Sequence, residues 1–162
     1  MSPRTSQSPA SIATPDLTDV SRLVIIEEIR ALKARYLSLL DAQQWDDLAQ
    51  LFVPDAHYTL AGFDDTIVFR SRAEWLENLR RTLDGGSTVH QVHQGEIEVV
   101  DHDTASARWA MTDHVKPSPS SGRASFYGHG HYAERYSRVD GSWRIVELTL
   151  TRLKLTSPDY FD

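Results

Sequence analysis

The sequence predicts a single α+β domain in which about three N-terminal helices pack against a strongly curved, mostly antiparallel sheet. Apolar residues recur at helical spacing in three segments between residues 18 and 83, and from Ser87 onward the pattern changes to an alternation of period two. Helices followed by a long antiparallel meander are typical of α+β proteins. The chain has 162 residues, of which 40% are hydrophobic and 25% charged, and this suits one globular domain.

The first helix is predicted from about residue 18 to 41, with Asp16 or Thr18 as its N-cap. Its charged side, within residues 27–35, is expected to be a solvated face. Its apolar stripe, which is expected to be buried, consists of Val20, Leu23, Val24, Ile25, Ile29, Leu32, Tyr36 and Leu39.

Two further helices are predicted before the long strands. A short one covers residues 45–51, and Pro54-Asp55 is expected to separate it from the next strand. The third follows Ser71, which forms a capping box with Glu74, and it ends at Gly85-Gly86. In this capping box we expect Glu74 to accept a hydrogen bond from the backbone nitrogen of Ser71.

The predicted sheet has two short strands and four long ones. The connection at residues 116–123 is rich in Pro and Ser, and we expect it at the rim of the sheet. A bulge near Gly95 would change the register of the first long strand, so the pattern alone does not decide between the faces of His90 and His93. The predicted strands are residues 57–61, 66–69, 87–100, 104–115, 124–139 and 142–155.

Composition and charge exclude several classes of partner. The net charge is -6 and no long basic run is present, so we expect no nucleic-acid or membrane partner. The chain has no cysteine, which removes disulfides, thiolate nucleophiles and cysteine-based zinc sites and favours a reducing, cytoplasmic location. Residues 1–16 are rich in Ser, Thr and Pro and are predicted to be a disordered tail, residues 17–157 the domain, and residues 158–162 a short C-terminal tail.

Blocks of residues between about positions 20 and 155 keep a recognisable order and spacing. They are residues 35–41, 45–48, 51–56, 89–93, 96–98, 104–113, 128–132, 136, 140–145 and 150–153. On these blocks the chain resembles the SnoaL-like branch of the NTF2-like, or cone-fold, superfamily. The resemblance implies a cone whose open end is a pocket, and it implies a homo-oligomer, either a trimer or a dimer. Function varies widely on this fold, so the fold alone does not assign one.

Within that superfamily the chain is similar to cofactor-free dehydratases, namely bile-acid 7α-dehydratase and, more loosely, scytalone dehydratase. The resemblance implies that His90 is a catalytic base, that Asp41 orients it, and that Tyr36 polarises or protonates the substrate. His93 is implied as a pocket residue, and no cofactor is expected.

Further pocket residues follow from the same resemblance. Asp113 and Arg152 are implied to line and tune the pocket, and Tyr132 is another candidate for binding substrate. Leu60 stands where the bile-acid enzyme carries a second pocket tyrosine. Tyr58, two residues earlier, is also a candidate, although we expect it to point to the other face of the sheet.

The residue types themselves are consistent with acid/base chemistry. Elimination of water needs a base for a C–H proton and an acid for the leaving hydroxyl, and a histidine with its ordinary pKa of about 6.5 suits the first task. Without the resemblance, each residue also has a structural interpretation. Tyr36 fits a core residue and Asp41 fits an ordinary loop residue after a helix. Asp113 fits the partner of Arg108 or Arg152 in a structural ion pair.

Seven histidines make a metal site the main alternative to a metal-free pocket. His129 and His131 share a strand face and are the pair that could bind a metal with His114 or His57. No cysteine supports such a site and no carboxylate partner can be assigned, so we predict none.

We predict a cofactor-independent lyase of the dehydratase type that acts on a small hydrophobic alicyclic, steroid-like or polyketide-like molecule. A cyclase or isomerase with the same pocket is one alternative, and a non-catalytic ligand-binding or accessory subunit is another. The third is an oligomerisation module built on an exposed apolar sheet face, for which the candidates are Trp109, Met111, Trp143 and Ile145.

Overall fold

Three α-helices and seven β-strands make up the part of the chain that the computed structural model describes, residues 17–62 and 65–157. The predicted tails, residues 1–16 and 158–162, lie outside these residues. The helices are α1 (Asp19–Asp41), α2 (Trp45–Ala49) and α3 (Arg72–Leu83). The strands are β1 (Phe52–Ala61), β2 (Thr66–Phe69), β3 (Ser87–Val92), β4 (Glu96–Val99), β5 (Thr104–Lys116), β6 (Phe126–Val139) and β7 (Ser142–Thr156).

The strands form one sheet in the order β2-β1-β7-β6-β5-β3, and β4 also pairs with β5. All neighbours are antiparallel except β1 and β7, which run parallel. Helix α1 packs on β3 and β4 towards one end of this order, whereas α3 packs on β1 near the other end. The predicted α+β class, with N-terminal helices on a curved and mostly antiparallel sheet, is confirmed.

Helix α1 begins as predicted but is buried later than predicted. Thr18 is the N-cap, because its Oγ1 accepts a hydrogen bond from Ser21 N at 3.1 Å. The buried face of the helix begins only at Ile25. Like the other described helices, α1 is not both long and apolar enough to cross a membrane. Three residues of the predicted buried stripe precede that face and are between 52% and 70% exposed: Val20, Leu23 and Val24.

Strand β1 begins at Phe52 rather than at the predicted residue 57. Pro54 lies inside it, where the pairing with β7 is irregular between Phe52 and His57. Proline is tolerated at such an irregularity because its missing N–H does not have to join the ladder. The prediction that Pro54-Asp55 separates helix from strand is therefore wrong, and α2 ends at Ala49.

Helix α3 is capped by Ser71, whose side chain accepts a hydrogen bond from Glu74 N at 3.2 Å. The Glu74 carboxylate accepts from Arg70 N at 2.8 Å, one residue before the cap, and not from Ser71 as predicted. The loop between β5 and β6 is tied to this helix, since Ser118 N donates to Thr82 O at 2.7 Å. This contact holds the predicted rim loop beside α3.

The predicted strand 87–100 is divided into β3 and β4 around Gly95. Between residues 92 and 96 the chain advances four positions while β5 advances three, so one extra residue is inserted. A Cβ atom on Gly95 would lie 2.4 Å from the indole ring of Trp109, so only glycine can cross this ring. The insertion brings the apolar residues of β4 onto the same sheet face as His90.

The inner face of the sheet carries the core. The four residues considered for an exposed apolar face are at most 6% exposed and belong to that core: Trp109, Met111, Trp143 and Ile145. The prediction that they form an oligomerisation face is therefore wrong, because their side of the sheet faces the helices.

Candidate active site

Asp41, the last residue of α1, meets His90 of β3. Asp41 Oδ1 lies 2.6 Å from His90 Nδ1, and Asp41 Oδ2 accepts a hydrogen bond from the backbone nitrogen of His90 at 2.9 Å. Thr88 Oγ1 donates to Asp41 Oδ1 at 2.8 Å. An ionised carboxylate only accepts hydrogen bonds, so this geometry assigns the proton of the neutral imidazole to Nδ1.

These contacts lower the pKa of Asp41. Burial alone would raise it, but hydrogen bonds from the ring and backbone of His90, the charge of His90 and the hydrogen bond from Thr88 outweigh burial. Asp41 is therefore ionised at neutral pH, and in the tautomer that it favours the lone pair of the imidazole lies on His90 Nε2. An imidazole oriented in this way is suited to accept a proton from a substrate.

A second carboxylate lies on the other side of the His90 ring. His90 Nε2 is 3.7 Å from Asp113 Oδ2, and the two residues are directly paired across β3 and β5. Arg152 of β7 donates to Asp113 Oδ1 at 2.7 Å and to Oδ2 at 2.6 Å. Burial would lower the pKa of Arg152, but these hydrogen bonds and the charge of Asp113 raise it. His90 thus lies between two carboxylates, one of which is neutralised by a guanidinium.

Gly128 makes room for this ion pair. It lies opposite Asp113 on β6, and a Cβ atom on it would be 2.2 Å from both Arg152 Nη1 and Asp113 Oδ1. This role of Gly128 was not predicted from the sequence, since it depends on two side chains from neighbouring strands. The β6–β7 pairing also shifts nearby, between His129 and Gly130.

A cavity of about 100 Å³ lies between α3 and the inner face of the sheet, and His90 forms part of its wall. Tyr58 and Leu60 of β1 both line it, together with Arg123 of the rim loop and Arg152. The prediction that Tyr58 points to the other face is wrong, because residues two apart on a strand share a face. Much of the remaining wall is apolar: Leu40, Leu79, Leu83, Val115 and Leu150.

The three candidate tyrosines differ in their access to this cavity. Tyr58 and Tyr132 line it, whereas Tyr36 is fully buried and is not part of its wall. The Tyr36 hydroxyl has no hydrogen bond of acceptable geometry among the described residues, although the Tyr58 hydroxyl is near enough to affect its pKa. Burial raises the pKa of all three tyrosines, so each is a neutral phenol at physiological pH.

His93 is exposed and does not line the cavity. It borders an open groove of about 560 Å³ beside α1, which Asp41 and His90 also reach. The structure therefore brings His90, and not His93, into contact with Asp41. Within residues 17–62 and 65–157, no three His, Cys, Asp or Glu side chains converge as a metal site.

With this geometry in place, the comparisons with known proteins identify the family. Residues 21–149 match the sequence profile of the SnoaL-like domain. The chain belongs to the SnoaL-like domain family. A probable cyclase of Gibberella zeae is 25% identical to this SnoaL-like chain over 133 residues, which are 77% of this chain and 89% of the relative. An uncharacterised protein of Mycobacterium tuberculosis is 29% identical over 129 residues, 77% and 83% of the two chains.

Solved structures share the fold of the SnoaL-like chain. A crystal structure from Novosphingobium aromaticivorans, provisionally named a scytalone dehydratase, has a TM-score of 0.75 at 21% identity and covers 86% of this chain and 91% of that chain. A hexachlorocyclohexane dehydrochlorinase of Novosphingobium barchaimii has a TM-score of 0.70 at 21% identity, with 86% and 93% covered. The predicted NTF2-like cone is confirmed, whereas an activity does not follow from shape at this identity.

By name, the relatives of the SnoaL-like chain include a dehydratase, a dehydrochlorinase and a cyclase. The name of the cyclase, which is a sequence relative, supports an enzymatic role at the level of the family. The cavity wall contains the imidazole of His90 and the phenols of Tyr58 and Tyr132, and the Asp113–Arg152 ion pair lies beside the imidazole. The catalytic and binding roles of the individual residues, including the resemblance to bile-acid 7α-dehydratase, stay predictions.

The SnoaL-like chain also contains a buried cation that the sequence analysis missed. Lys33 is 1% exposed, because Glu134 of β6 supplies a counter-charge with Nζ and Oε1 2.5 Å apart. The prediction of a solvated face is therefore wrong at this residue. Burial lowers the pKa of Lys33, and Glu134 opposes that effect. The signal was present in the spacing, since Lys33 lies four residues from both Ile29 and Leu37 on the buried stripe.

Proposed function

We propose that the chain is a cofactor-independent dehydratase that removes water from a compact, mostly apolar, oxygenated ring compound. The observation that carries this proposal is the 2.6 Å contact of Asp41 Oδ1 with His90 Nδ1, made while His90 lines a cavity. A histidine whose Nδ1 is held by a carboxylate presents Nε2 as a general base towards a substrate. The names of the family's dehydratase and dehydrochlorinase relatives support an elimination.

In the proposed reaction, His90 Nε2 takes a proton from the carbon next to a substrate carbonyl. The electron pair of that C–H bond forms the C=C bond, the C–O bond to the neighbouring hydroxyl breaks, and the proton on Nε2 leaves with the hydroxide as water. Asp41 stabilises the imidazolium while it exists. We assign the hydrogen bond to the developing enolate oxygen to Tyr58 or Tyr132, which line the cavity, rather than to Tyr36.

The size of the cavity supports a substrate smaller than a steroid. Its volume of about 100 Å³ is near the roughly 150 Å³ that hold a benzene ring. It is below the roughly 300–1,000 Å³ of sites that enclose drug-sized ligands. A steroid-like or polyketide-like ligand would have to displace α3 or the rim loop. We therefore propose a ligand of about one ring.

The test uses 3-hydroxycyclohexanone, a one-ring β-hydroxy ketone whose dehydration gives 2-cyclohexenone and water. The reaction is run in D₂O and followed by mass spectrometry and by the ultraviolet absorbance of the enone. We expect His90→Ala and Asp41→Asn each to lower the rate by about a hundredfold or more, since a positioned base contributes that much. His93→Ala is the matched control, because this exposed histidine is three residues away and should leave the rate unchanged.

Loss of water, deuterium incorporation and the activities of the variants separate the possible outcomes. Loss of water that depends on His90 supports the dehydratase. Full activity in the His90→Ala protein would reject the assigned base, and loss of activity in the His93→Ala protein would move the base to His93. Turnover of no β-hydroxy ketone, with no deuterium incorporated at the carbon next to the carbonyl, would reject acid/base catalysis and favour a non-catalytic ligand-binding protein.

A cyclase is the second candidate, and the observation that favours it is the relative of Gibberella zeae named as a probable cyclase. Ring closure or isomerisation would use the same base, since each begins with removal of an acidic C–H proton. The product keeps the mass of its substrate in these reactions. Deuterium exchange that depends on His90 without loss of water would therefore favour the cyclase or isomerase over the dehydratase.

A further inference from the structure

The inner cavity contains a buried donor that the proposed reaction does not use. Trp75 lies in the first turns of α3, is 4% exposed and lines the cavity. Its indole stacks on Tyr58 with ring centroids 3.4 Å apart and planes inclined by 15°. Its Nε1 has no hydrogen-bond partner among the described residues.

The other three tryptophans differ from Trp75, because their indole N–H groups have hydrogen-bond partners. Each donates its indole N–H to a carboxylate within hydrogen-bond distance: Trp45 to Asp84 at 2.7 Å, Trp109 to Glu134 at 3.1 Å and Trp143 to Glu28 at 2.8 Å. A buried N–H without a partner costs roughly 1–3 kcal/mol, so such groups are rare unless something binds them. Trp75 differs from the other three in being a cavity residue.

We propose that Trp75 Nε1–H is a binding donor of this cavity, and that it takes an acceptor oxygen, most simply a carbonyl oxygen, of a ligand of about one ring. The inference rests on the proposed function only in taking the same cavity as the ligand site. The stack on Tyr58 fixes the plane of the indole, so the donor has a defined direction. Trp75 is thus a specificity residue that prefers an oxygenated ring to a hydrocarbon of the same shape.

The test compares cyclohexanone with methylenecyclohexane, in which a CH₂ group replaces the oxygen. Binding is followed by NMR on the indole N–H signals of ¹⁵N-labelled protein, and Trp75→Phe identifies the Trp75 signal. We expect cyclohexanone, but not methylenecyclohexane, to shift that signal. The signals of Trp45, Trp109 and Trp143 should stay in place, because their N–H groups already have partners.

The affinities provide an independent readout. The ketone affinity is divided by the hydrocarbon affinity in the original protein and in Trp75→Phe, and comparison of the two ratios cancels the different hydration of the two fragments. We expect this ratio to fall about tenfold in Trp75→Phe. If that variant does not fold, the Trp75 signal is assigned through its nuclear Overhauser contacts with the stacked Tyr58 ring, and its shift in the unmodified protein carries the test.

An unchanged ratio in Trp75→Phe, a Trp75 signal that the bound ketone does not move, or no saturable binding of cyclohexanone would each overturn the proposal. Neither readout needs turnover, so the two proposals fail separately. A Trp75-dependent ketone preference in a protein that does not dehydrate 3-hydroxycyclohexanone would keep this assignment and reject the dehydratase. Turnover without such a preference would do the reverse.

Discussion

Two polar clusters lie on the inner face of the sheet, and each pairs a carboxylate with a cation. The open cluster consists of Asp41, His90, Asp113 and Arg152. The sealed cluster consists of Lys33, Glu134, Trp109 and Tyr136. Both are built from strands of the same sheet and residues of α1, so their difference lies in access and in hydrogen bonding.

In the sealed cluster, both oxygens of Glu134 have donors. Lys33 Nζ donates to Oε1, and Oε2 accepts from Trp109 Nε1 at 3.1 Å and from the Tyr136 hydroxyl. The Lys33 and Glu134 side chains are 1% and 0% exposed.

The open cluster is partly accessible, and no hydrogen bond joins His90 Nε2 to another of the described residues. The Asp41 and Arg152 side chains are 26% and 14% exposed. His90 Nε2 is 3.7 Å from Asp113 Oδ2, beyond hydrogen-bond distance. A fully satisfied and sealed ion pair is suited to hold a structure in one arrangement, whereas a ring nitrogen beside a cavity with no hydrogen bond to another described residue is suited to reaction. The comparison predicts large stability effects in the sealed cluster and smaller ones in the open cluster.

The largest stability effect is expected for Lys33→Met. This change leaves the Glu134 carboxylate buried without a counter-charge, and breaking a buried pair in this way costs about 3–5 kcal/mol. Urea denaturation at pH 7 measures the loss in the free energy of unfolding.

The matched control is Lys33→Met combined with Glu134→Gln, which removes both charges and keeps an acceptor for Trp109 and Tyr136. We expect the double variant to recover most of the stability, since replacing both partners of a buried pair is often nearly neutral. A Lys33→Met protein within about 1 kcal/mol of the original would contradict the assignment of this cluster as structural.

The fold could be read from the sequence because each long element carries its own signal. The alternation from Ser87 onward and the helical spacing before it are local patterns, and the structure confirms the class that they predict. The break at Gly95 could not be assigned by pattern alone, because it depends on the Trp109 ring across the sheet. Pro54 also depends on a contact that is distant in sequence. A proline after a helix predicts a break, and only the irregular pairing of β1 with β7 shows that the strand tolerates it.

The candidate site is a different case, because it joins residues that are far apart in the chain. Asp41 and His90 were selected through resemblance to a family, and the structure brings them to 2.6 Å, but their roles stay predictions. Lys33 reads as a surface residue because its partner Glu134 lies 101 positions away. The donor role inferred for Trp75 has no signal in the sequence, since it rests on the lack of a hydrogen-bond partner among the described residues and not on a motif.

The second largest effect on stability is expected for Gly128→Ala, which lies against the Asp113–Arg152 pair of the open cluster. Its Cβ would lie 2.2 Å from Arg152 Nη1 and from Asp113 Oδ1, so the bidentate pair must open. Overpacking of this kind costs about 1–3 kcal/mol of stability. The rate with 3-hydroxycyclohexanone should also fall at a temperature where the variant is folded, because Asp113 then moves relative to His90. A variant with unchanged stability and rate would mean that the ion pair shifts freely and does not position the base.

The smallest effect is expected for Asp41→Asn, and it should depend on pH. The pKa of Asp41 is lowered in the folded chain, so its contribution to stability is present above the ordinary pKa of 3.8 and is lost as the pH falls through the lower folded value. At pH 7 the variant should be less stable by about 1 kcal/mol, because solvent screens hydrogen bonds to a partly exposed carboxylate.

Urea denaturation across the pH range should show that the free energies of unfolding of the original protein and of Asp41→Asn converge below the ordinary pKa. A constant difference down to the lowest pH would show that the loss is not due to the charge of Asp41, and no difference at pH 7 would show that the open cluster contributes reactivity alone.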